Sequence, residues 1–356
     1  MKLVRSLLLF FFAAVLGSLQ AQDIHYTLFN MSPLTLNPAN TGAFSGTVRV
    51  GGIYRGQWWA VSSERGYNTP SAYADAPIVR GFRDQDWVGV GLSFFQDKSG
   101  SLALTTNTSM LSAAYHLGLD KKGESVLTLG LQGGRVNRSL NSQNARLADS
   151  WDGSTNIFED TADPVFTGGT GGGTEPGEND IQTDYFDFRA GLLFRSKFDE
   201  FDNIEVGFST GRINTPEYLF RAGGGNQDFA DRPMLLAAHA KYEWKLNDKW
   251  SAAPTVLWQS TGGANLFNLQ AWAGYDLKPE EKIKLHMGLG YRIGDSAKIL
   301  AGLDYKDLRV AAAFDLNVSE YRVATDYQGA FEIAAFYIIK VYPDPQIKPA
   351  ILCPRF

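Results

Sequence analysis

Apolar and polar residues alternate with a period of two along most of this chain. This period puts successive side chains on opposite faces of a β-strand, whereas an amphipathic helix repeats every 3.6 residues. The alternating segments run for about 9 to 13 residues, which exceeds the usual length of globular strands and suits strands that cross a membrane at a tilt. The pattern therefore predicts long, amphipathic strands. The apolar positions of one such segment are Ile283, Leu285, Met287, Leu289 and Tyr291.

About fourteen segments of this kind can be counted, and bacterial outer-membrane barrels have even strand numbers. An even number lets an antiparallel sheet close on itself, which satisfies every backbone N–H and C=O group within the membrane. The segments lie at 47–59, 70–80, 86–97, 102–118, 124–139, 181–197, 203–213, 233–246, 249–260, 266–277, 282–293, 297–304, 307–318 and 329–342.

Short connections alternate along the chain with a second set that includes the longest ones. Every second one is short and rich in Asp, Asn, Gly, Lys or Pro, which favour turns. The others include the two longest, near 140–180 and 214–232. This sorting is typical of an outer-membrane barrel and has no reason to occur in a soluble sandwich. We therefore predict an all-β fold, a transmembrane antiparallel up-and-down β-barrel. Its short periplasmic turns are expected at 81–85, 119–123, 198–202, 247–248, 278–281 and 305–306.

The first residues resemble an export signal. Lys2 and Arg5 precede an apolar run at 7–16, which has the length of a signal-peptide core and is too short to span a bilayer. Ala21 supplies a small residue before a cleavage site ahead of Gln22. We expect both mature termini in the periplasm. The expected parts are a signal peptide at 1–21, a periplasmic or lumenal segment at 22–46, the barrel at 47–342 and a periplasmic tail at 343–356.

Charge and motifs exclude several functions. The net charge of −5 offers no basic patch for nucleic acid. Motifs of zinc proteases, α/β-hydrolases and P-loop enzymes are missing, and Cys353 has no partner cysteine in the chain. We therefore expect no catalytic residue, no cofactor and no metal site. The alternative is a lumenal site around His239 or His286, which the alternation points inward, as in a transporter or a barrel hydrolase.

Several aromatic residues lie near the expected strand ends. Such positions are typical of the aromatic girdles that meet lipid headgroups. We therefore expect these side chains to face the membrane. They are Trp58, Trp59, Trp87, Trp250 and Tyr275.

The connection at 140–180 is acidic and contains a glycine run at 168–173. Its carboxylates do not have the spacing of an EF-hand, so a solvated surface loop is favoured over a calcium site. Its aromatic residues Trp151, Phe158 and Phe166 are candidate anchors for an outward partner.

Residues 25–46 fit neither a strand nor a helix. Pro33 and Pro38 keep the residues before them extended, and Asn37 and Asn40 favour turns. The stretch is nevertheless too apolar for a free tail. We expect it to pack inside the barrel or against its periplasmic mouth.

Two motifs resemble the PorP/SprF family of Bacteroidetes. The stretch FNMSPLTLNPANTG at 29–42 is similar to the opening of that family, with departures at Ser32, Asn40 and Thr41. The stretch YRGQW at 54–58 matches a Tyr-Arg-x-Gln-Trp motif on the first strand, and the ending CPRF at 353–356 is also similar.

The resemblance implies a non-enzymatic outer-membrane component of the type IX secretion system and its gliding-motility branch. The implied partners are outer-membrane lipid, periplasmic secretion or motor proteins, including peptidoglycan-binding lipoproteins, and a secreted surface adhesin or other cargo. A passive porin or a substrate-specific transporter is the alternative.

From this resemblance we expect a docking surface at the periplasmic side, with the connections at 140–180 and 214–232 facing outward to cargo. Arg55 would lie in a low-dielectric wall and need a carboxylate or backbone partner. The motif residues expected to dock a partner are Asn37, Pro38, Gly42, Tyr54, Arg55, Gln57 and Trp58.

Overall fold

Fourteen antiparallel strands close into one barrel in a computed structural model of the chain. The structure describes residues 24–57, 67–80, 85–99, 104–141, 151–152, 157–158, 180–198, 202–218 and 230–341. The barrel strands are β1 (Val48–Gln57), β2 (Tyr67–Arg80), β3 (Trp87–Ser99), β4 (Leu104–Gly118), β5 (Ser125–Asn141), β6 (Asp180–Lys197), β7 (Asn203–Gly211), β8 (Leu235–Lys245), β9 (Trp250–Thr261), β10 (Ala264–Lys278), β11 (Ile283–Arg292), β12 (Ser296–Tyr305), β13 (Leu308–Asn317) and β14 (Gln328–Ile339).

Each strand pairs with its neighbours in sequence, and β1 pairs with β14 to close the barrel. The predicted antiparallel up-and-down barrel of fourteen strands is therefore confirmed. The expected short turns lie at one end, here called the short-turn end, and the other connections lie at the long-connection end. Two small ladders lie in the two longest connections. They pair Trp151–Asp152 with Ile157–Phe158 and Glu217–Tyr218 with Ala230–Asp231.

The strands carry apolar side chains outward and polar ones inward. On β4, for example, Leu111 is 72% exposed whereas the adjacent Ser112 is only 6% exposed. A soluble protein would bury the apolar face, so this inversion indicates that the outer face meets lipid. None of the helices in the described part of the chain is long and apolar enough to cross a membrane.

Aromatic rings gather on the outer face near the short-turn end. The ring centroids of Tyr242 and Trp244 are 5.2 Å apart, and those of Trp250 and Tyr275 are 4.9 Å apart. The expected outward position of Trp250 and Tyr275 agrees with the structure. The expectation for Trp87 is wrong, because its side chain points into the barrel and is 4% exposed. Trp58 and Trp59 lie outside the described residues, as do the expected signal peptide and residues 342–356.

Residues 24–46, here called the plug, lie inside the barrel. Three short helical pieces follow one another, at Phe29–Met31, Pro33–Leu36 and Pro38–Asn40. Two of them begin at a proline, whose fixed φ suits the first position of a helix. Of the two expected positions, inside the barrel or at its periplasmic mouth, the structure has the segment inside. Apart from these short helical pieces the segment is irregular, as expected.

The plug runs along the barrel from one end to the other. Thr27 contacts Asp315 and Glu332 in the half nearer the long connections. The Asn40 carbonyl and the Gly42 N–H contact Arg49 and Asp75 near the short turns. The described chain therefore starts toward the long-connection end and descends to begin β1. The expectation that both mature termini lie in the periplasm stays a prediction.

The plug and one side of the wall share an apolar core. These side chains are excluded from water and from lipid, so their burial favours the plugged state. The plug contributes Tyr26, Leu28, Phe29, Met31, Leu34 and Leu36, and the wall contributes Ile53, Tyr73, Leu257, Trp272, Leu300 and Phe336.

Candidate functional site

Glycines on the inner wall let the plug backbone approach the strands closely. A Cβ atom at Gly130 of β5 would overlap the Ala39 backbone, and one at Gly89 of β3 would overlap the Thr41 carbonyl. A Cβ at Gly191 of β6 would overlap the Asn37 side chain. Only glycine leaves room for this contact. The stretch 37–42 therefore lies directly against the wall.

Asn37 binds both the plug and the wall. Its Oδ1 accepts a hydrogen bond from Ala39 N at 2.9 Å, which starts the turn at Pro38. Its Nδ2 donates to the carbonyl oxygens of Leu192 at 3.0 Å and Phe208 at 3.3 Å. The side chain is fully buried, so these bonds replace those it would make with water.

At its end, the plug turns into β1 beside buried side chains of the wall. Gly42 has a φ of +70°, which favours glycine. Its N–H donates to Asp75 Oδ2 at 2.7 Å, and its carbonyl accepts from Trp87 Nε1 at 3.0 Å. His116 Nε2 donates to the Thr41 carbonyl at 2.8 Å while its ring stacks on Trp87, with centroids 4.3 Å apart. These wall side chains hold the turn from three strands.

A second set of polar contacts holds the other end of the plug. We call Arg55, Arg292, Lys298, Asp315 and Glu332 the charged cluster; all five are buried. The Glu332 carboxylate accepts the N–H of Thr27 at 2.6 Å and that of Leu28 at 2.7 Å, and it is paired with Arg55. Asp315 accepts from the Thr27 hydroxyl at 2.8 Å.

Arg55 thus has the carboxylate partners that its position on the wall was predicted to need, Glu332 and also Asp315 at 3.3 Å. Because an isolated buried charge is very unfavourable, the cluster is stable only when its members stay together. Thr27 lies among them, with its hydroxyl 3.0 Å from Lys298 Nζ. Displacing the plug would remove that residue from the cluster.

Two inward histidines are bound to carboxylates of the wall. His239 Nδ1 lies 3.6 Å from Glu205, which also pairs with Arg195 at 2.8 Å. His286 Nε2 lies 3.1 Å from Asp304. Their predicted inward direction agrees with the structure. Among the described residues, no group of three or more His, Cys, Asp or Glu side chains is arranged to hold a metal ion.

The model of the family described as "Type IX secretion system membrane protein PorP/SprF" matches residues 18–337. The chain belongs to this family. It is therefore an outer-membrane component of the type IX secretion system, as the resemblance implied. None of the curated proteins matches the chain.

Several solved structures have a similar barrel. The Ralstonia pickettii toluene transporter TbuX is 13% identical, with a TM-score of 0.48 over 86% of this chain and 93% of that one. The CymD monoaromatic hydrocarbon channel is 11% identical, with a TM-score of 0.48 over 88% and 94%. The P. putida toluene transporter TodX is 12% identical, with a TM-score of 0.43 over 86% and 93%. These likenesses concern the fold alone.

The PorP/SprF motif residues lie mainly between plug and wall. Asn37, Pro38, Gly42 and Arg55 are buried there. Their role in docking a partner stays a prediction. Gln57 Oε1 accepts from Arg55 Nη2 at 3.2 Å. Tyr54 faces outward, and its hydroxyl donates to Asn68 Oδ1 at 2.9 Å. The buried motif residues all lie where the plug meets the wall, which indicates that they hold the plug in place.

The remaining predicted residues lie in or next to connections of which the structure describes only short stretches. Trp151 and Phe158 are paired across the small ladder in the longest connection. Trp58 and Phe166 lie outside the described residues. The role of the three loop aromatics as cargo anchors stays a prediction.

The three departures from the family opening all make hydrogen bonds within the site. Ser32 Oγ lies 2.6 Å from Thr35 Oγ1 in the short helix. Asn40 Oδ1 accepts from Arg195 Nη2 at 2.6 Å, and Thr41 Oγ1 donates to Ser112 Oγ at 2.9 Å. Asn40 and Thr41 therefore attach the plug to the wall, whereas Ser32 acts within the plug.

Sequence reasoning missed most of the wall residues that hold the plug. Trp87, His116, Asp75 and Asp315 were not among the predicted site residues, although all of them are inward polar or aromatic side chains. The available signal was strand parity: an inward residue of a long strand has to meet either water or the plug.

We expect Gly130→Ala to weaken the attachment of the plug. The added Cβ would overlap the Ala39 backbone, and overpacking of this kind typically costs about 1–3 kcal/mol. The measurement is the free energy of unfolding in urea, together with protease cleavage within the plug. Gly133→Ala is the matched control, because position 133 lies on the outer face of the same strand and its Cβ meets only the Phe188 ring. Equal losses in both variants would contradict a specific plug contact.

Proposed function

We propose that this protein is a sealed, membrane-embedded docking component of the type IX secretion machinery rather than a conduit for cargo. Periplasmic secretion or motor proteins would bind at the short-turn end, and secreted surface cargo at the long-connection end. The observation that carries the proposal is the plug, which occupies the lumen from one end to the other and is bound to the wall at both.

Release of the plug would break hydrogen bonds to several charged side chains of the wall. Asp75 would lose the N–H of Gly42, while Glu332 would lose two backbone donors. Arg195 would lose Asn40 and the carbonyl of Ala43. Hydrogen bonds to charged groups contribute about 1.5–3 kcal/mol each, so their joint loss opposes an open state. This supports a barrel that stays closed while the machinery works.

The short-turn end offers ordered turns for a partner. In the turn between β4 and β5, the Asp120 carboxylate accepts the N–H groups of Lys122, Glu124 and Ser125 at 2.9, 2.9 and 2.5 Å. Loss of hydration opposes ionisation of Asp120, but these donors outweigh it and lower the pKa of its carboxyl. Exposed Lys121 and Lys122 are thereby presented on a fixed turn. A preformed surface loses less entropy on binding.

The long-connection end is the side on which cargo would bind. The two longest connections lie there, and the sequence of 140–180 is strongly acidic and carries Trp151, Phe158 and Phe166. Aromatic anchors surrounded by polar residues are favourable for protein binding. We propose these three residues as cargo contacts, with the adhesin or other cargo as their partner.

A disulfide between plug and wall tests whether the lumen has to open. In a Cys353→Ser background, the pair Thr41→Cys and Ser112→Cys replaces two hydroxyls that are 2.9 Å apart. We expect cargo secretion to continue with the disulfide formed, because docking needs no movement of the plug. The measurement is the amount of cargo at the cell surface, with the disulfide verified by gel mobility without reductant.

The control is a disulfide within the wall. Ser125→Cys with Ser196→Cys joins β5 to β6, where the two hydroxyls are 3.0 Å apart. Selective loss of secretion in the plug-to-wall variant, restored by reductant, would contradict a sealed barrel. The same preparations are tested for co-purifying periplasmic secretion proteins, and their absence with the unmodified protein would contradict docking.

A further inference from the structure

An open recess of about 270 Å³ lies on the outer face of the barrel, toward the long-connection end. We call it the outer-face recess. Its polar side chains point away from the lumen, because they alternate along their strands with buried residues such as Thr108 and Val136. The recess is therefore separate from the contacts between plug and wall. It is lined by Asn107 and Ser109 of β4, Arg135 and Asn137 of β5 and Asp184 of β6.

The outer-face recess begins where the apolar band of the outer face ends. Ser109 is paired with Phe94 of β3, and Arg135 is paired with Phe186 of β6. Both phenylalanine side chains are exposed on the outer face. The apolar band of a membrane barrel spans the hydrocarbon layer, so its edge lies at the lipid headgroups. The recess is therefore at the level where the heads of surrounding lipids are found.

The strands that carry the recess are longer than those on the opposite side of the barrel. β4, β5 and β6 contain 15, 17 and 18 residues, whereas β11, β12 and β13 contain 10 each. Each residue adds about 3.3 Å to a strand. Because the short turns join the strands at one end, the extra length extends the wall at the other. This length places the recess beyond the hydrocarbon layer.

The two charged side chains of the recess are paired with each other. Arg135 Nη2 donates to Asp184 Oδ2 at 2.7 Å, and Asn137 Nδ2 donates to Asp184 Oδ1 at 3.0 Å. The five lining residues therefore carry no net charge. The pair uses one of the five N–H donors of the guanidinium, and 64% of the Arg135 side chain is exposed. Its other donors can therefore reach a ligand in the recess.

Two amide side chains add both donors and acceptors to the recess. Asn107 Oδ1 accepts from Gln96 Nε2 at 2.7 Å, which directs the Asn107 amide so that its NH₂ group is a donor. Asn137 donates its NH₂ group to Asp184, which makes its Oδ1 the acceptor. A hydroxyl group both donates and accepts, so neighbouring donors and acceptors match it. An uncharged recess of this kind favours a hydroxyl-rich ligand over an isolated phosphate or ammonium group.

We propose that the outer-face recess binds the sugar head of a glycolipid in the outer leaflet, whose acyl chains lie against the apolar band beside Phe94 and Phe186. Only an amphiphile contacts both surfaces at once. A cavity of about 150 Å³ in another protein holds benzene, so the recess has room for a six-membered sugar ring. The outer leaflet as the source of the lipid rests on the proposed outward direction of the long-connection end. Binding itself does not rest on the docking role.

Native mass spectrometry of the purified full-length protein in lauryldimethylamine oxide, a detergent without sugar, tests the proposal. The probes are two synthetic lipids with the same acyl chains, one with a disaccharide head and one with a phosphocholine head. We expect the disaccharide lipid to bind about tenfold more tightly, which corresponds to one or two net hydrogen bonds. Asn107→Ala combined with Asn137→Ala should lower its affinity about tenfold and leave that of the phosphocholine lipid unchanged.

Asn265→Ala is the matched control. Asn265 is also exposed near the long-connection end, where its Oδ1 accepts from Trp258 Nε1 at 3.1 Å, but it lies on β10, outside the recess. Its replacement should leave the affinity for both lipids unchanged. An equal loss in the control and in the recess variant would overturn the proposal. Equal affinity of the unmodified protein for both lipids would also overturn it and would leave the recess to a protein partner. Heat-dependent gel mobility verifies that each variant is folded.

The soluble disaccharide without acyl chains separates a lipid from a dissolved sugar. We expect it to bind at least about tenfold more weakly than the disaccharide lipid, because it makes no contact with the apolar band. Equal affinity for the soluble sugar and the lipid would overturn the assignment to a glycolipid. All these measurements use purified protein, so their failure is distinguishable from a failure of the secretion assays that test docking.

Discussion

Removal of residues 24–44 should turn a closed barrel into a conducting pore. These residues fill the lumen, and the wall around them carries polar and charged side chains that water would solvate once the plug is gone. In planar bilayers we expect no discrete steps from the intact protein and regular single-channel steps from the shortened one. This is the largest functional effect that the structure predicts, because it converts a sealed lumen into an aqueous path.

Deletion of residues 150–178 is the control. That stretch belongs to the longest connection, so its loss should leave both insertion and closure unchanged and affect outward partners only. Failure of this variant to assemble would contradict the assignment of the stretch as a surface connection. Steady conductance by the intact protein would contradict the sealed lumen and favour a passive porin. Heat-dependent mobility verifies assembly of both variants before conductance is compared.

Much of the barrel could be predicted from the sequence. The last strand was expected at 329–342 and is Gln328–Ile339, and the ninth was expected at 249–260 and is Trp250–Thr261. The prediction works because a membrane barrel ties the polarity of each residue to the face that it occupies. Backbone groups in lipid also have to pair along the whole crossing, so strand length is constrained as well.

The alternation along β3 also predicts the direction of Trp87, which was wrongly assigned to the aromatic girdle because it lies near a strand end. Val90 and Phe94 face outward on β3, and Trp87 has the opposite parity on the same strand. It therefore had to point inward, where it binds the Gly42 carbonyl. Aromatic residues at strand ends are compatible with either face, so proximity to a strand end alone does not place them.

The contacts between plug and wall could not be predicted in the same way. Arg55 and Glu332 are opposite each other only because β1 and β14 close the barrel in one particular register. Alternation fixes the face of a residue but not its partner, and a shift by two residues would keep every face while separating this pair. The position of the plug inside the barrel depends on those same long-range pairings.

Glu332→Ala should cause the largest loss of stability among single substitutions at the site. It removes the nearer of the two carboxylate partners of Arg55 and the acceptor of the Thr27 and Leu28 N–H groups, all of which are buried. Removing one member of a buried ion pair typically costs about 3–5 kcal/mol, because the other charge stays buried. The measurement is the free energy of unfolding in urea in lipid vesicles.

Glu281→Ala is the surface control for Glu332→Ala. Glu281 also pairs with a cation, Lys278 at 2.9 Å, but both side chains are about half exposed. Exposed pairs contribute at most about 1 kcal/mol, so the two losses should differ several-fold. Arg55→Gln combined with Glu332→Gln should cost less than the sum of the two single substitutions, since the pair then leaves no charge without its partner. Equal losses for Glu332→Ala and Glu281→Ala would mean that the charged cluster does not hold the plug.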